Sequence, residues 1–351
     1  MFSEQDLDDM KRLVTGFIAA LLILAFFLWA VGIHKIISLY AQMHTGIFLL
    51  GILSTFIGMV AWSSVWHRVI AVVEHRISRV KVFLIFLSAQ FANHITPFGQ
   101  VGGEPFIALV LTKYTDISYE KSLAGVISSD LINFFPFFTY GSIGFLYFLI
   151  VHDISGTIKT YAIGFAVVLG ATITAAVLIW RKRGDVKTGV LSLTNFIRDK
   201  LGRYSDKLYY GLEPELVKER LDDFFGTLSF IGENKDRLVL PIILAHIGWF
   251  FVILPLYMSS MAINHTINFP LIFLIIPVAS LAGYLPSPGG LGGVEVFGAV
   301  VITVVTSINI TTATAIFLLY RISVFWFTIL IGGISLGHLS VGMKEITEGG
   351  G

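Results

Sequence analysis

The chain has 351 residues, of which 55% are apolar and only 13% charged. A soluble domain carries roughly 25% charged residues, so this chain could not cover its surface in water and must have lipid as part of its solvent. A net charge of +1 excludes a global field for nucleic acid, and the absence of cysteine excludes disulfides, thiolate chemistry, iron–sulfur clusters and most structural zinc sites.

Taken in chain order, the segment MFSEQDLDDMKR is acidic and lacks the basic region and cleavage site of a signal peptide, so the apolar run 13–33 is expected to stay as an anchor. Runs at 45–65, 121–150, 158–180, 238–262 and 312–340 reach the ~20 residues needed to cross a ~30 Å core. The expected architecture is therefore an all-α polytopic membrane protein of about six full spans. Pro136 marks an expected kink in the span 121–150. Runs at 82–93 and 270–285 are too short or too interrupted to be spans. Each leads through a glycine-rich turn into another short apolar stretch, 104–113 or 295–306, which reads as two re-entrant hairpins, 82–113 and 270–306. Irregular backbone at membrane depth is tolerated only where it is buried in protein or lines a wet cavity.

Basic residues set the orientation. With both termini cytoplasmic, 21 of the 24 Lys and Arg fall on the inner side, Lys35 and Lys159 fall outside, and Arg321 falls within a span. The chain then divides into an N-terminal segment and first span (1–44), a first repeat (45–150), a connecting span (151–180), a cytoplasmic insertion (181–237), a second repeat (238–340) and a cytoplasmic tail (341–351). In the insertion, Leu216, Val217, Leu221, Phe224, Phe225 and Leu228 recur at helical spacing behind Pro214. Such a helix suits either the inner membrane surface or packing against neighbouring loops.

The two glycine segments align without a gap at an offset of 191 residues. TPFGQVGGEPF (96–106) lies over SPGGLGGVEVF (287–297), and 12 of 40 aligned positions are identical. Because the span at 45–65 runs inward and that at 238–262 outward, the repeats are inverted. Interrupted segments at matching places in two inverted halves point to a transporter's midplane site.

Charges inside the spans are few. Asp130 and Arg321 each lie about nine residues, or ~14 Å, into their spans, and they are repeat equivalents of opposite sign. Left to face lipid, each would cost roughly 2.5–3.5 kcal/mol; pairing with each other or with a ligand is the expected remedy. Glu104 and Glu295 open the second arm of each hairpin, where a carboxylate meets orphan N–H groups. Gly99, Gly102, Gly103, Gly289, Gly290, Gly292 and Gly293 permit close backbone approach to an anion. Converging with Arg321, they form an expected phosphate site, with Glu104, Asp130 and Glu295 gating it or coupling it to protons, and Asn93 and His94 at the first tip. The sequence has no nucleotide P-loop or HExxH pair and indicates no Ser/His/Asp arrangement, so no enzyme activity, cofactor or metal is expected. Gly333 and Gly337 form a GxxxG face that suits helix packing, or alternatively a homodimer.

At TPFGQVGGEP, at PSPGGLGGVE and at the charged residue in the span after each, the sequence resembles the lysylphosphatidylglycerol synthase transmembrane region, the flippase-like domain of multiple-peptide-resistance factors. The resemblance covers about 45–340. It implies movement of phospholipid or aminoacylated phospholipid between leaflets. No aminoacyl-transferase domain accompanies these motifs, so synthase activity is not implied, and Asp130 stands where the resemblance leads one to expect an arginine. The leading expectation is a flippase or scramblase-like transporter in the cell membrane for an anionic phospholipid head group. A secondary transporter of a small anion and a membrane enzyme or assembly partner for polyisoprenyl-phosphate substrates are the alternatives.

Overall fold

A computed structural model gives the fold, described for residues 24–73, 77–95, 100–115, 117–151, 181–201, 213–284 and 287–348 and for a few isolated positions. Among these residues the elements are helical and no strand occurs. In hydrocarbon each backbone group must be satisfied within the protein, and a helix does this within one segment. In chain order the helices are α1 (Leu24–Val31), α2 (Ile33–Ala41), α3 (Thr45–Val73), α4 (Arg79–Ile95), α5 (Gln100–Tyr114), α6 (Tyr119–Val151), α7 (Arg183–Leu201), α8 (Pro214–Glu233), α9 (Lys235–Ala262), α10 (Ile272–Ser280), α11 (Gly293–Val305), α12 (Ile310–Arg321) and α13 (Phe327–Glu348). A π-helical turn, Ile322–Trp326, joins the last two.

Among the described residues, four single helical stretches are long and apolar enough to cross a membrane: Thr45–Ala71, Tyr119–Val151, Asp236–Ala262 and Ile310–Leu339. These are four of the six expected spans, and the fold is an all-α membrane protein. The run 158–180 lies largely outside the described residues, as does the first half of 13–33. Where that first run was expected to end, Gly32 takes φ 96° and α2 leaves α1 at 78°. Helix α6 runs as one helix through Pro136, which is buried within it. The expected hairpin arms are short helices: α4 has 17 residues, α5 has 15 and α11 has 13.

Packing uses the same pairings in both halves. Helices α4 and α5 pack on each other, as do α10 and α11; α5 lies on α6 as α11 lies on α12. Each first arm also packs on the long span of the other half, α4 on α13 and α10 on α6, while α3 and α9 pair with each other. One buried cluster fills the second half around Ile272, Ile275, Ile316 and Phe317, and another fills the first around Ile85, Phe86, Ile107 and Leu111.

Gly144 shows how tight these seams are. A Cβ there would stand 2.7 Å from the Phe273 carbonyl carbon and 2.9 Å from the Leu274 Cα. At the 191-residue offset, Ser335 instead donates its hydroxyl to the Leu84 carbonyl at 2.8 Å across the α4–α13 seam. Backbone cannot yield as a side chain does, so Gly144→Ala is expected to force α6 and α10 apart. Overpacking of this kind costs about 1–3 kcal/mol, read as a lower midpoint of thermal unfolding in detergent. On α13 the close approach belongs to Gly332, where a Cβ would meet Phe91, and Gly333 lies over the same ring. Of the expected GxxxG pair, Gly333 thus packs against α4, while a Cβ at Gly337 would meet nothing within 4 Å.

The insertion forms α7 and α8, with Pro214 opening α8 as expected. Helix α8 buries Val217, Phe225 and Ile231 and packs against α6 and α7. Arg220 reaches Glu120 at the start of α6 (3.4 Å), and Lys187 bonds Asp222 at 2.6 Å. That hydrogen bond holds the exposed Asp222 carboxyl below its ordinary pKa. Of the two expected roles for this amphipathic segment, packing is the one its buried face performs.

Candidate functional site

The second hairpin turns through Pro288–Gly290, with Gly289, Gly290 and Gly292 at φ of 56°, 68° and 79°. The turn has no room for a side chain at Gly289: a Cβ would stand 2.6 Å from the Phe325 ring and 2.7 Å from the His94 carbonyl. The same contact shows that the turn of the second hairpin touches the end of the first hairpin's opening arm. Just beyond, α11 begins at Gly293, and Glu295 sits at its third position, where its Oε2 accepts from the Gly292 N–H at 2.7 Å. This is the carboxylate half of a capping box.

The other oxygen of Glu295 accepts from Arg321 Nε at 2.6 Å, and Arg321 Nη2 donates to the Gly289 carbonyl at 3.1 Å. Both side chains are buried, Glu295 at 2% exposure and Arg321 at 8%. The guanidinium also stacks on Phe325, 3.8 Å from the ring centroid. Phe325 reaches this place because the helix widens into its π turn directly after Arg321; such turns recur at functional sites. Arg321 is therefore paired with Glu295, and Asp130 is not its counter-charge. The reason lies in chain geometry. Helix α11 packs on α12, so a carboxylate in the first turn of the arm faces the middle of the following span.

The first half places its equivalents in the same relation. The Glu104 and Asp130 carboxyls lie within hydrogen-bonding reach of each other, as Glu295 and Arg321 do. Where one half holds an ion pair, the other holds two acids, and a hydrogen bond between two carboxyls requires a proton on one of them. Glu104 does not cap its helix as expected, because α5 starts at Gln100. Gly102 and Gly103 are correspondingly helical, not part of an open turn. Their N–H groups are among the first four of α5, which have no helical acceptor. Gly99 lies outside the described residues.

Asn93, His94, Glu104, Asp130, Gly289 and Arg321 all line one cavity of about 370 Å³. The structure thus gathers six of the expected site residues, from both halves, around a single space. Glu295 stands behind Arg321, and Gly290, Gly292 and Gly293 shape the turn without lining the cavity. His94 is anchored by its Nδ1 to the Gln90 carbonyl at 2.6 Å and lies against Phe325, ring centroids 5.0 Å apart. That is a satisfied interior histidine, and among the described residues no cluster of three or more His, Cys, Asp or Glu could hold a metal.

Sequence reasoning missed several lining residues: Trp62 on α3, Trp249 on α9, and Asn133 and Phe134 on α6. The indole N–H groups of Trp62 and Trp249 and the side-chain carbonyls of Asn93 and Asn133 are buried without a hydrogen-bond partner. Asn133 lies one helical turn beyond Asp130, a spacing the sequence did offer.

The family model described as the lysylphosphatidylglycerol synthase TM region matches residues 13–332. A UPF0104 membrane protein of Pyrococcus horikoshii is 26% identical over 336 residues, covering 93% of this chain and 96% of that protein. A UPF0104 membrane protein of Methanothermobacter thermautotrophicus is 24% identical over 300 residues, covering 85% and 86%. A third, from Methanocaldococcus jannaschii, is 23% identical over 330 residues, covering 92% and 93%.

Proposed function

The chain belongs to the lysylphosphatidylglycerol synthase TM region family, and from that premise we propose that it moves a lipid head group between the leaflets of the cell membrane. The observation that carries this reading is the placement of the cavity. It carries Glu104, Asp130 and Arg321 in a mainly apolar lining, it lies about 16 Å along α6 from Tyr119 to Asp130 at 1.5 Å per residue, and it reaches the apolar surface of the bundle. Phe134 both lines it and is 36% exposed, between Leu131 at 47% and Phe135 at 56%. A head group can lodge among the polar groups while its tails lie along that exposed face of α6.

In this reading the two hairpins are re-entrant arms of inverted halves, with both termini cytoplasmic. The guanidinium N–H groups of Arg321 that Glu295 and Gly289 leave over bind an anionic phosphate oxygen. Glu104 and Asp130 hold a proton between them, and exchange of that proton couples or gates the movement. Carboxyls within hydrogen-bonding reach of each other suit proton holding better than hydrolysis, in which a carboxyl pair stands about 5 Å or more apart across the bond it cleaves.

The test is reconstitution into liposomes carrying phospholipids labelled on the acyl chain, with dithionite quenching of the outer leaflet. Leaflet exchange well above that of empty vesicles is the expected result. Exchange equal to empty vesicles overturns the reading, and uptake of labelled phosphate without lipid exchange would replace it with a small-anion transporter.

A further inference from the structure

We infer that α2 lies along the membrane surface where α1 ends, its Ile33–Ile37 edge set among acyl chains and Lys35 among the lipid phosphates. This assignment is independent of what the cavity carries.

The sequence of α2, IHKIISLYA, is two-sided. Ile33, Ile36, Ile37 and Tyr40 recur at the i, i+3, i+4, i+7 spacing of one helix face, and His34, Lys35 and Ser38 hold the other. The bundle covers only part of the apolar face. Ile36 is 3% exposed and packs into the buried cluster of the second half, whereas Ile33 and Ile37 are left at 40% and 57%. His34, Lys35 and Ser38 are exposed as well. A short helix that exposes an apolar edge beside a polar one belongs at a boundary between lipid and water.

Three contacts set the level of that boundary. The Thr311 hydroxyl donates to the Val31 carbonyl at 2.9 Å, the Tyr40 hydroxyl to the Ala315 carbonyl at 2.9 Å, and the His44 N–H to the Ala262 carbonyl at 2.8 Å. They bring α2 and the residues on either side of it to the start of Ile310–Leu339, the start of Thr45–Ala71 and the end of Asp236–Ala262. A bilayer surface passes where spans end, and leaving α1 at 78°, α2 runs along that surface instead of crossing it. Trp29, 72% exposed one turn before the bend, is of the residue type that gathers at head-group level. Charge agrees with this placement. No Asp or Glu occurs between Asp9 and Glu74, and among the described residues no ion pair engages Lys35. Its ammonium is therefore open to a lipid phosphate, with its stem along the apolar layer.

The chain has no cysteine, so single-cysteine variants report one position each. Ile33→Cys, Ile37→Cys, His34→Cys, Lys35→Cys and Ser38→Cys are placed in phospholipid nanodiscs, where both membrane faces meet the reagent, and treated with a polyethylene-glycol maleimide at neutral pH. The thiols at positions 33 and 37 are expected to react at least about tenfold more slowly than the others, because apolar surroundings raise a thiol's pKa and each unit removes about tenfold of its reactive thiolate. In parallel, a fluorophore on each cysteine meets phospholipids brominated on the acyl chain. Quenching is expected at positions 33 and 37 and is expected to be lost at 34, 35 and 38. Similar maleimide rates throughout overturn the inference. Slow reaction at 33 and 37 without quenching also overturns it, since protein, a second copy or a partner, would then cover this edge. Quenching at every position overturns it in favour of a helix sunk in the bilayer.

Discussion

Glu295→Ala is expected to destabilise the protein by about 3–5 kcal/mol, the usual result of removing one member of a buried ion pair. Arg321 would keep only the Gly289 carbonyl and the Phe325 ring as neighbours, and its charge would remain buried in a span. The Gly292 N–H would lose its acceptor as well. The comparison that isolates the cause is the double variant Glu295→Ala, Arg321→Met. Removing both charges removes the desolvation penalty with them, so the double variant should unfold at a higher temperature than Glu295→Ala alone. Glu120→Ala is the contrast. Its partner Arg220 is 54% exposed and 3.4 Å away, and exposed pairs contribute only about 0–1 kcal/mol. Thermal unfolding in detergent reads all three. A Glu295→Ala protein as stable as the parent would show that this pair does not hold α11 to α12.

The fate of these charges also shows how far the sequence could be read. Scarcity of charge was enough to isolate Arg321, because so few charged residues fall inside apolar runs. The 191-residue offset was enough to connect it with Asp130 and to align both hairpins. Its partner was misread for a physical reason. A repeat alignment identifies equivalent positions, whereas contacts form within each half, between the second arm and the span that follows it. Glu295–Arg321 and Glu104–Asp130 are two copies of that one contact. The start of α5 was placed too late because two glycines each cost a helix about 1 kcal/mol, yet Gly102 and Gly103 are helical here. Trp62, Trp249 and Phe325 were illegible for another reason. In a helix apolar on every side, no amphipathic stripe distinguishes the face toward a cavity from the face toward lipid. The π turn that swings Phe325 beneath Arg321 carries no proline or glycine in Ile322–Trp326 to announce it.

Asp130→Arg tests what the difference between the two halves is for. The substitution restores to the first half the residue type that the second half has at this place, opposite Glu104 as Arg321 stands opposite Glu295. If Asp130 served only packing, this change would be a repair, since a carboxylate and a guanidinium pair without a shared proton. Thermal stability is therefore expected to equal or exceed that of the parent. Transport is expected to fall at least about tenfold, equivalent to about 1.4 kcal/mol in the barrier, for two reasons. The carboxyl pair that holds the proton is gone, and a longer side chain projects into a cavity of about 370 Å³. Asp130→Asn separates these reasons. It keeps the size and a donor toward Glu104 but can no longer share a proton as an acid. Its transport rate should accordingly lose the pH dependence expected of the parent while the fold is retained. Both variants are read by leaflet exchange across a pH series, alongside thermal unfolding. A stable Asp130→Arg protein that transports at the parental rate would remove Asp130 from the mechanism, and a pH profile unchanged in Asp130→Asn would place proton coupling elsewhere. The expected combination, a fold unharmed and transport lost, would mean that the departure from repeat symmetry at this one position serves function, with the second half holding the fold together where the first half carries the proton.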